Sequence, residues 1–306
     1  MNKFLSLLFL VSISTFSVFA QDKDPQAEYD WAQYNFVPHF TLKNGGGKNI
    51  FAENKRLFVS NFQVAQVIVA NGKQTGQANL AKMTISLTPI DLKAYQAVVD
   101  KLYQQFLDQL KAEGYTLVSD EEVAKSEFAQ KQHNGKSIFC MYVKEPSFYK
   151  DAAGNEVVNI FPTNKYLVAN YGSILGNWPS KFGKALDANI VSIILTINPV
   201  SFEGRRGLGA KKGASIEAIA NMTIFPTCTA SNERGGFGVW GSLVDGKDNW
   251  VGPKGLAKTD SNTDVFGSVR GTYVLDVNQE AYLSEVEKLG GGIAQGYIKA
   301  LMKEVK

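Results

Sequence analysis

The chain has 306 residues, 44% of them hydrophobic and 20% charged, with a formal net charge of +3. This is the composition of a globular protein with a full core and excludes a disordered chain. The near balance of charge excludes an electrostatic case for binding nucleic acid, and two cysteines in so long a chain exclude a disulfide-stapled scaffold.

Met1-Asn2-Lys3, an uncharged apolar run from Phe4 to Phe19, and Val18 and Ala20 at the −3 and −1 positions predict a secretory signal peptide over residues 1–20, cleaved before Gln21. The run is too short for a spanning helix, which needs about 20 predominantly apolar residues. No cysteine stands near the cleavage point, so no lipid attachment is expected. The expected mature chain has 286 residues, 306 less 20, and is soluble or peripheral. Its localisation is periplasmic, outer-membrane-associated or secreted, with any membrane contact made through a partner.

Residues 21–55 are polar, contain Asn44-Gly45-Gly46-Gly47 and carry Tyr29, Trp31, Tyr34, Phe36 and Phe40. They predict an irregular arm whose aromatic residues dock on the chain's own domain first and on a partner second. Residues 56–306 are expected to form one α/β domain with an inserted excursion near 145–178. Within it, Leu57, Val59 and Phe62 open a strand that continues through Val69 and turns at Asn71-Gly72. Thr88-Pro89-Ile90-Asp91 then predicts a helix start, with Thr88 as capping hydroxyl, proline at the first helical position and a carboxylate in the first turn. Leu92, Tyr95, Val99, Leu102, Phe106 and Leu110 recur at three and four residues and form one apolar stripe, which Gly114 ends as a left-handed cap.

Tyr115 to Val118 predicts a short strand, and Ser119-Asp120-Glu121-Glu122 a capping box that opens a helix to about Gln132. Strand signals follow at Ile138 to Val143 and Tyr166 to Ala169, with a turn at Asp151 to Asn155, and Trp178-Pro179-Ser180 leads a short helix through Phe182 and Leu186. The β-branched runs Ile190 to Val200 and Ser215 to Phe225 predict a hairpin around Gly204 to Gly213. Phe237 to Leu243 and Ser268 to Val274 predict strands separated by a polar stretch through Asp264. Asn278 to Leu289 and Ile293 to Val305 are amphipathic, with Gly290-Gly291-Gly292 either a weak joint or a close-packing face. The expected architecture is α+β, a mixed sheet with helices packed on it.

The segment Arg56 to Glu127 has a strand ending Asn61-Phe62 and a helix through Val99-Asp100-Lys101-Leu102-Tyr103-Gln104-Gln105-Phe106. Glu113-Gly114-Tyr115-Thr116-Leu117-Val118-Ser119 and an acidic helix start follow. This order resembles a TolB amino-terminal-like domain, the unit also used by the curli secretion channel (CsgG-like) family and by outer-membrane activators of penicillin-binding proteins. Leu186-Asp187-Ala188-Asn189-Ile190-Val191, the return strand Ile216 to Ile224 and the closing helix Tyr282 to Val305 extend the resemblance to Lys306. It implies an envelope accessory or assembly domain that contacts other proteins. Family lipoproteins carry a modified cysteine at the mature start, which Gln21 replaces here.

No residue set predicts catalysis, a cofactor or a metal. His39 and His133 are the only histidines and lack ligand partners at suitable spacing. Arg205, Arg206, Lys211 and Lys212 mark a basic hairpin tip rather than a phosphate loop, since a strand follows them; such a tip can meet anionic lipid or peptidoglycan. Cys140 and Cys228 either form a disulfide or serve as buried thiols in apolar strands. Trp240 and Trp250, with Trp178 and Tyr171, either pin core and loops or form a sugar-stacking platform. The expected function is therefore a non-enzymatic, homo-oligomeric envelope protein. The alternative is a secreted glycan-binding protein or hydrolase using Trp240 to Asp264.

Overall fold

The computed structural model describes residues 54–76, 80–88, 90–132, 138–169, 178–206, 213–232, 235–240, 243–245, 249–263 and 269–305. The first elements are β1 (Arg56–Thr75), β2 (Leu80–Leu87), α1 (Leu92–Ala112), β3 (Thr116–Leu117), α2 (Asp120–Lys125) and α3 (Glu127–Gln132). The middle of the chain gives β4 (Phe139–Tyr142), β5 (Ser147–Lys150), β6 (Glu156–Ile160), β7 (Tyr166–Ala169) and α4 (Trp178–Leu186). Two long strands, β8 (Asn189–Arg206) and β9 (Ala214–Asn232), precede β10 (Gly235–Trp240), β11 (Leu243–Asp245), β12 (Val251–Thr263), β13 (Val269–Val277) and α5 (Gln279–Val305). Mixed pairing and few helices make this an α+β fold.

β1 organises the main sheet, whose path runs β10-β9-β8-β1-β2-β13-β12. Val64 to Gln66 pair with β8 on one side and β6 on the other, while Val69 pairs with Ser86 of β2 and with Glu156 of β6. β8 and β2 therefore follow one another along the same edge of β1. The exchange falls at an irregularity between Val67 and Val69, where a bulge bends the strand. Beyond it, β8 and β9 remain paired to Arg206 and Ala214 and depart from β1 as a hairpin, so the sheet forks.

Alternate residues of β1 supply two cores. Leu57 and Val59 join the large cluster with Tyr95, Phe106, Ile193, Tyr282 and Tyr297, which α1 and α5 cover. Phe58 joins a second cluster with Val123, Cys140, Tyr166, Phe182 and Ile190, beneath α2, α3, α4 and the two-stranded β4–β7 sheet. Phe106 stacks on Tyr297 at 6.3 Å in the first, and Phe58 meets Phe182 edge-on at 5.8 Å in the second.

The stripe on α1 buries Tyr95, Val99, Leu102, Phe106 and Leu110 as its spacing predicts, and Gly114 takes φ 83°. The cap differs from expectation: Asp91 is the N-cap, its Oδ1 accepting from the Lys93 and Ala94 amides at 2.9 and 3.2 Å. Thr88 instead ties the helix start to the sheet, accepting through Oγ1 from the Val277 amide. The expected helix to Gln132 is two short helices, because Ser126 adopts extended backbone and its hydroxyl accepts from Ala129 N. Ser119 caps Glu122 N as predicted, while the Glu122 carboxylate pairs with Arg56.

Three further expectations are corrected. Asn71-Gly72 is no turn: β1 runs through it because a Cβ at Gly72 would lie 2.5 Å from Phe202 Cδ1, so glycine there admits the departing hairpin. The polar stretch before Asp264 is strand β12, paired with β13. The 145–178 segment is not wholly an insertion, since β6 is buried and pairs with β1 in the main sheet. Of the two readings of Gly290-Gly291-Gly292, close packing holds: α5 is continuous, and a Cβ on Gly290 would sit 3.0 Å from Leu102 Cδ1.

At the fork, Gln66 Oε1 accepts from Tyr95 OH at 2.7 Å and from Tyr282 OH at 2.8 Å, joining α1 and α5 to β1. Leaving buried hydroxyls unmatched costs about 1–3 kcal/mol each. Gln66→Leu is therefore expected to destabilise the fold by about 2–5 kcal/mol in urea unfolding, with part of the loss recovered by adding Tyr95→Phe and Tyr282→Phe.

Candidate functional site

The described residues present two surfaces with the character of a contact or binding site. The first is the wedge between the prongs of the fork. Met83 and Ile85 of β2, Leu256 of β12 and Tyr273 of β13 face Ile216 and Ala218 of β9 across a cavity of about 460 Å³. Glu203, Ser215 and Glu217 border it as well. Glu203 and Glu217 are direct cross-strand partners, an arrangement of like charges that opposes pairing.

The second set of exposed residues lies between positions 141 and 149, on strands of two different sheets. Met141 and Tyr142 of β4 and Phe148 and Tyr149 of β5 are exposed, Met141 at 50% and Phe148 at 62%. β5 is an edge strand paired only with β6 among the described residues, and all four of its side chains are exposed. Tyr142 is oriented by edge-on contact with Tyr166 at 4.9 Å.

Apart from these surfaces, the described residues include a buried cation, Lys165. Its ammonium donates to Asp120 Oδ1 and, at 3.0 Å, to the Tyr166 carbonyl, and it lies 4.6 Å from the centre of the Phe58 ring. The other Asp120 oxygen accepts from the Tyr166 amide at 2.9 Å. These bonds lock the start of α2 to β7. Burial lowers the Lys165 pKa from the ordinary 10.5 to about 8, against the opposing pull of Asp120.

The predicted site residues do not converge. Cys140 and Cys228 are both thiols, in separate core clusters, so the disulfide alternative is set aside for the buried one. Burial pushes the Cys140 thiol up to about 11 and that of Cys228 higher still, which leaves neither poised as a nucleophile. Arg205 and Arg206 end β8 opposite Ser215 and Ala214; Lys211 and Lys212 lie outside the described residues, as do His39, His133 and Tyr171. Trp240 closes β10, opposite Thr227. Trp250 is no surface platform: it is fully buried, edge-on to Tyr282 at 5.4 Å.

Among the described residues, no cluster of His, Cys, Asp and Glu forms a metal site, and no helix is long and apolar enough to cross a membrane. The sequence matches no family model, no curated protein and no solved structure.

β2 carried a strand signal, Ala81, Met83, Ile85 and Leu87 alternating with Lys82, Thr84 and Ser86, whereas β12 has no such alternation, so the wedge between them and β9 was not announced. Ser147-Phe148-Tyr149-Lys150 after Pro146 carried a signal for the exposed edge, a short aromatic strand bounded by proline. Lys165 had none.

Unfolded, Lys165 titrates near 10.5; folded, it titrates near 8. Between these values the unfolded chain binds more protons, so this residue makes stability rise with pH. Raising pH from 8 to 10 is expected to stabilise the native protein by about 2 kcal/mol relative to Lys165→Met. Urea unfolding of both proteins across that range measures it.

Proposed function

We propose that the chain is an exported cell-envelope accessory or assembly protein that acts by protein–protein contact, as a homo-oligomeric scaffold or secretion-associated subunit. The observation that carries this reading is the exposed aromatic edge of β5. Strand edges with unpaired amides and carbonyls template pairing with another chain, and proteins that stay apart blunt them. One end of the sheet path is blunted so: β12 has Pro253, two irregularities and the exposed Lys254 and Lys258. β5 carries a single lysine, Lys150, which is paired with Glu156 of β6, and keeps Phe148 and Tyr149 exposed beside it.

Export rests on the signal-like segment Met1 to Ala20. The TolB amino-terminal-like assignment belongs to the same proposal. It is supported by the order of a long capped helix, a glycine turn, a two-residue strand and an acidic helix start from Leu92 to Glu122. The closing helix offers little apolar contact surface, because Tyr282, Val286, Ile293, Tyr297 and Leu301 are all buried within the chain. The glycan-binding or hydrolase reading loses its chief aromatic with the burial of Trp250.

Protein recovered from the cell exterior or envelope is expected to begin at Gln21 in amino-terminal sequencing. That mature protein is expected to show a mass above the monomer in size-exclusion chromatography with light scattering, falling to the monomer with Phe148→Lys and Tyr149→Lys together. A monomeric native protein at all concentrations sinks the homo-oligomer.

A further inference from the structure

We propose, on the reading of β5 as the assembly surface, that the strand added to it is residues 34–42 in the amino-terminal arm of a second copy of this chain. Subunits are then joined arm to edge. The segment from Tyr34 to Leu42 has the two-residue period of a half-buried strand. Tyr34, Phe36, Pro38, Phe40 and Leu42 occupy one set of alternate positions, and Asn35, Val37, His39 and Thr41 the other. It is longer than the four residues of β5 and can cover that edge completely.

The two sides of this segment answer the two faces of β5. Phe148 and Lys150 stand on one face, and Ser147 and Tyr149 on the other. Asn159 of β6 accepts from Gln63 Nε2 at 2.8 Å and donates to Ser147 Oγ at 3.4 Å, so a row of polar side chains crosses β1 and β6 and ends at the open edge. The side with Asn35, His39 and Thr41 extends that row, and the aromatic side covers Phe148, which is 62% exposed. Pro38 suits an outermost strand. With the backbone groups of Val37 and His39 turned to β5, the missing amide of Pro38 faces outward and blunts the new edge against further addition.

The point of attachment favours exchange between copies. The arm joins the domain at Asn54, whose side-chain amide donates to the Asp187 carbonyl at 2.9 Å and to its carboxylate at 3.0 Å. The Asn54 carbonyl accepts from the Asn189 side chain at 2.6 Å. These bonds hold the chain against the turn before β8. β8 and β6 take opposite edges of β1, and β5 lies beyond β6, so the arm enters on the flank of its own β1 away from its own β5. Residues 43–53 connect the segment to the domain and span up to about 40 Å when extended, enough to cross to an abutting subunit. Such a contact joins two different patches, and each subunit both gives and receives a strand. An arm folded back on its own β5 is the competing outcome.

Phe36→Asp with Phe40→Asp in the mature chain is expected to lower the mass in light scattering to that of the monomer, as Phe148→Lys with Tyr149→Lys does, with an unchanged circular dichroism spectrum. Mixing then separates arm-to-edge joining from pairing of two β5 strands. The arm variant keeps an intact β5 and the edge variant keeps an intact arm, so their equimolar mixture at high concentration is expected to form a dimer and nothing larger. A mixture that stays monomeric overturns the proposal. Arm substitutions that leave the native mass unchanged, while the β5 substitutions abolish assembly, overturn the arm and keep β5 as the assembly surface. A mass that rises on arm substitution shows the arm covering its own β5 and overturns the exchange. A native protein that is monomeric at all concentrations overturns both.

Discussion

One amide oxygen holds the architecture at its point of greatest geometric conflict. Gln66 is the last residue of β1 to pair with β8, through Ile197, before that edge passes to β2. A strand that exchanges neighbours cannot be tied there by a continuous ladder, and the covering helices must be fixed by other means. Gln66 supplies them by accepting the hydroxyls of Tyr95 and Tyr282, one from each helix, within a fully buried environment. Burial raises the pKa of both tyrosines, so they remain donors throughout the physiological range. Such a shared acceptor fixes a unique arrangement where apolar packing alone would tolerate sliding.

The fork and its wedge follow from that exchange. Once β8 has left β1, the hairpin it makes with β9 has lost one neighbouring strand and keeps only side-chain support from β1 and β2. Gly72 sets how closely the hairpin approaches, since any side chain there would meet the Phe202 ring. Close contact at the base and divergence beyond it produce a lined gap rather than a second core. The bulge that allows the exchange is thus also the origin of the cavity.

Much of this fold was legible where a local pattern and the tertiary environment agree. The α1 stripe, the Gly114 cap, the Ser119 cap and the β8–β9 pairing are all decided within one element or between sequence neighbours. Other features depend on partners distant in the chain. Asn71-Gly72 has turn chemistry, yet its glycine answers Phe202, 130 positions later. Thr88 looks like a cap and serves β13. β12 reads as a polar loop because it is an edge strand with exposed lysines, and such strands carry no apolar alternation. Trp250 could have been a platform or a core residue by composition alone, and only its contact with Tyr282 decides it. The basic tip and the cysteines were visible as residues, but their surroundings were not. Of the two candidate surfaces, the sequence exposed the aromatic residues near 148 and concealed the wedge.

Several of the described elements are poorer candidates for an assembly surface than β5. α5 turns its apolar side inward. β9 exposes Ile219 and Phe225, yet its edges are taken by β8 on one side and by β10 and β11 on the other. β12 is irregular and bears exposed lysines. β5 combines an unpaired edge with two exposed aromatic side chains, so a partner strand gains backbone hydrogen bonds and apolar burial together. Burying a side chain such as Phe148 contributes about 1.5–3 kcal/mol, less than the cost of immobilising a partner. One copy of β5 pairing with one other is therefore a weak contact by itself. A stable assembly needs Met141 and Tyr142 of β4 in the same interface, or a ring in which each subunit is held from two sides.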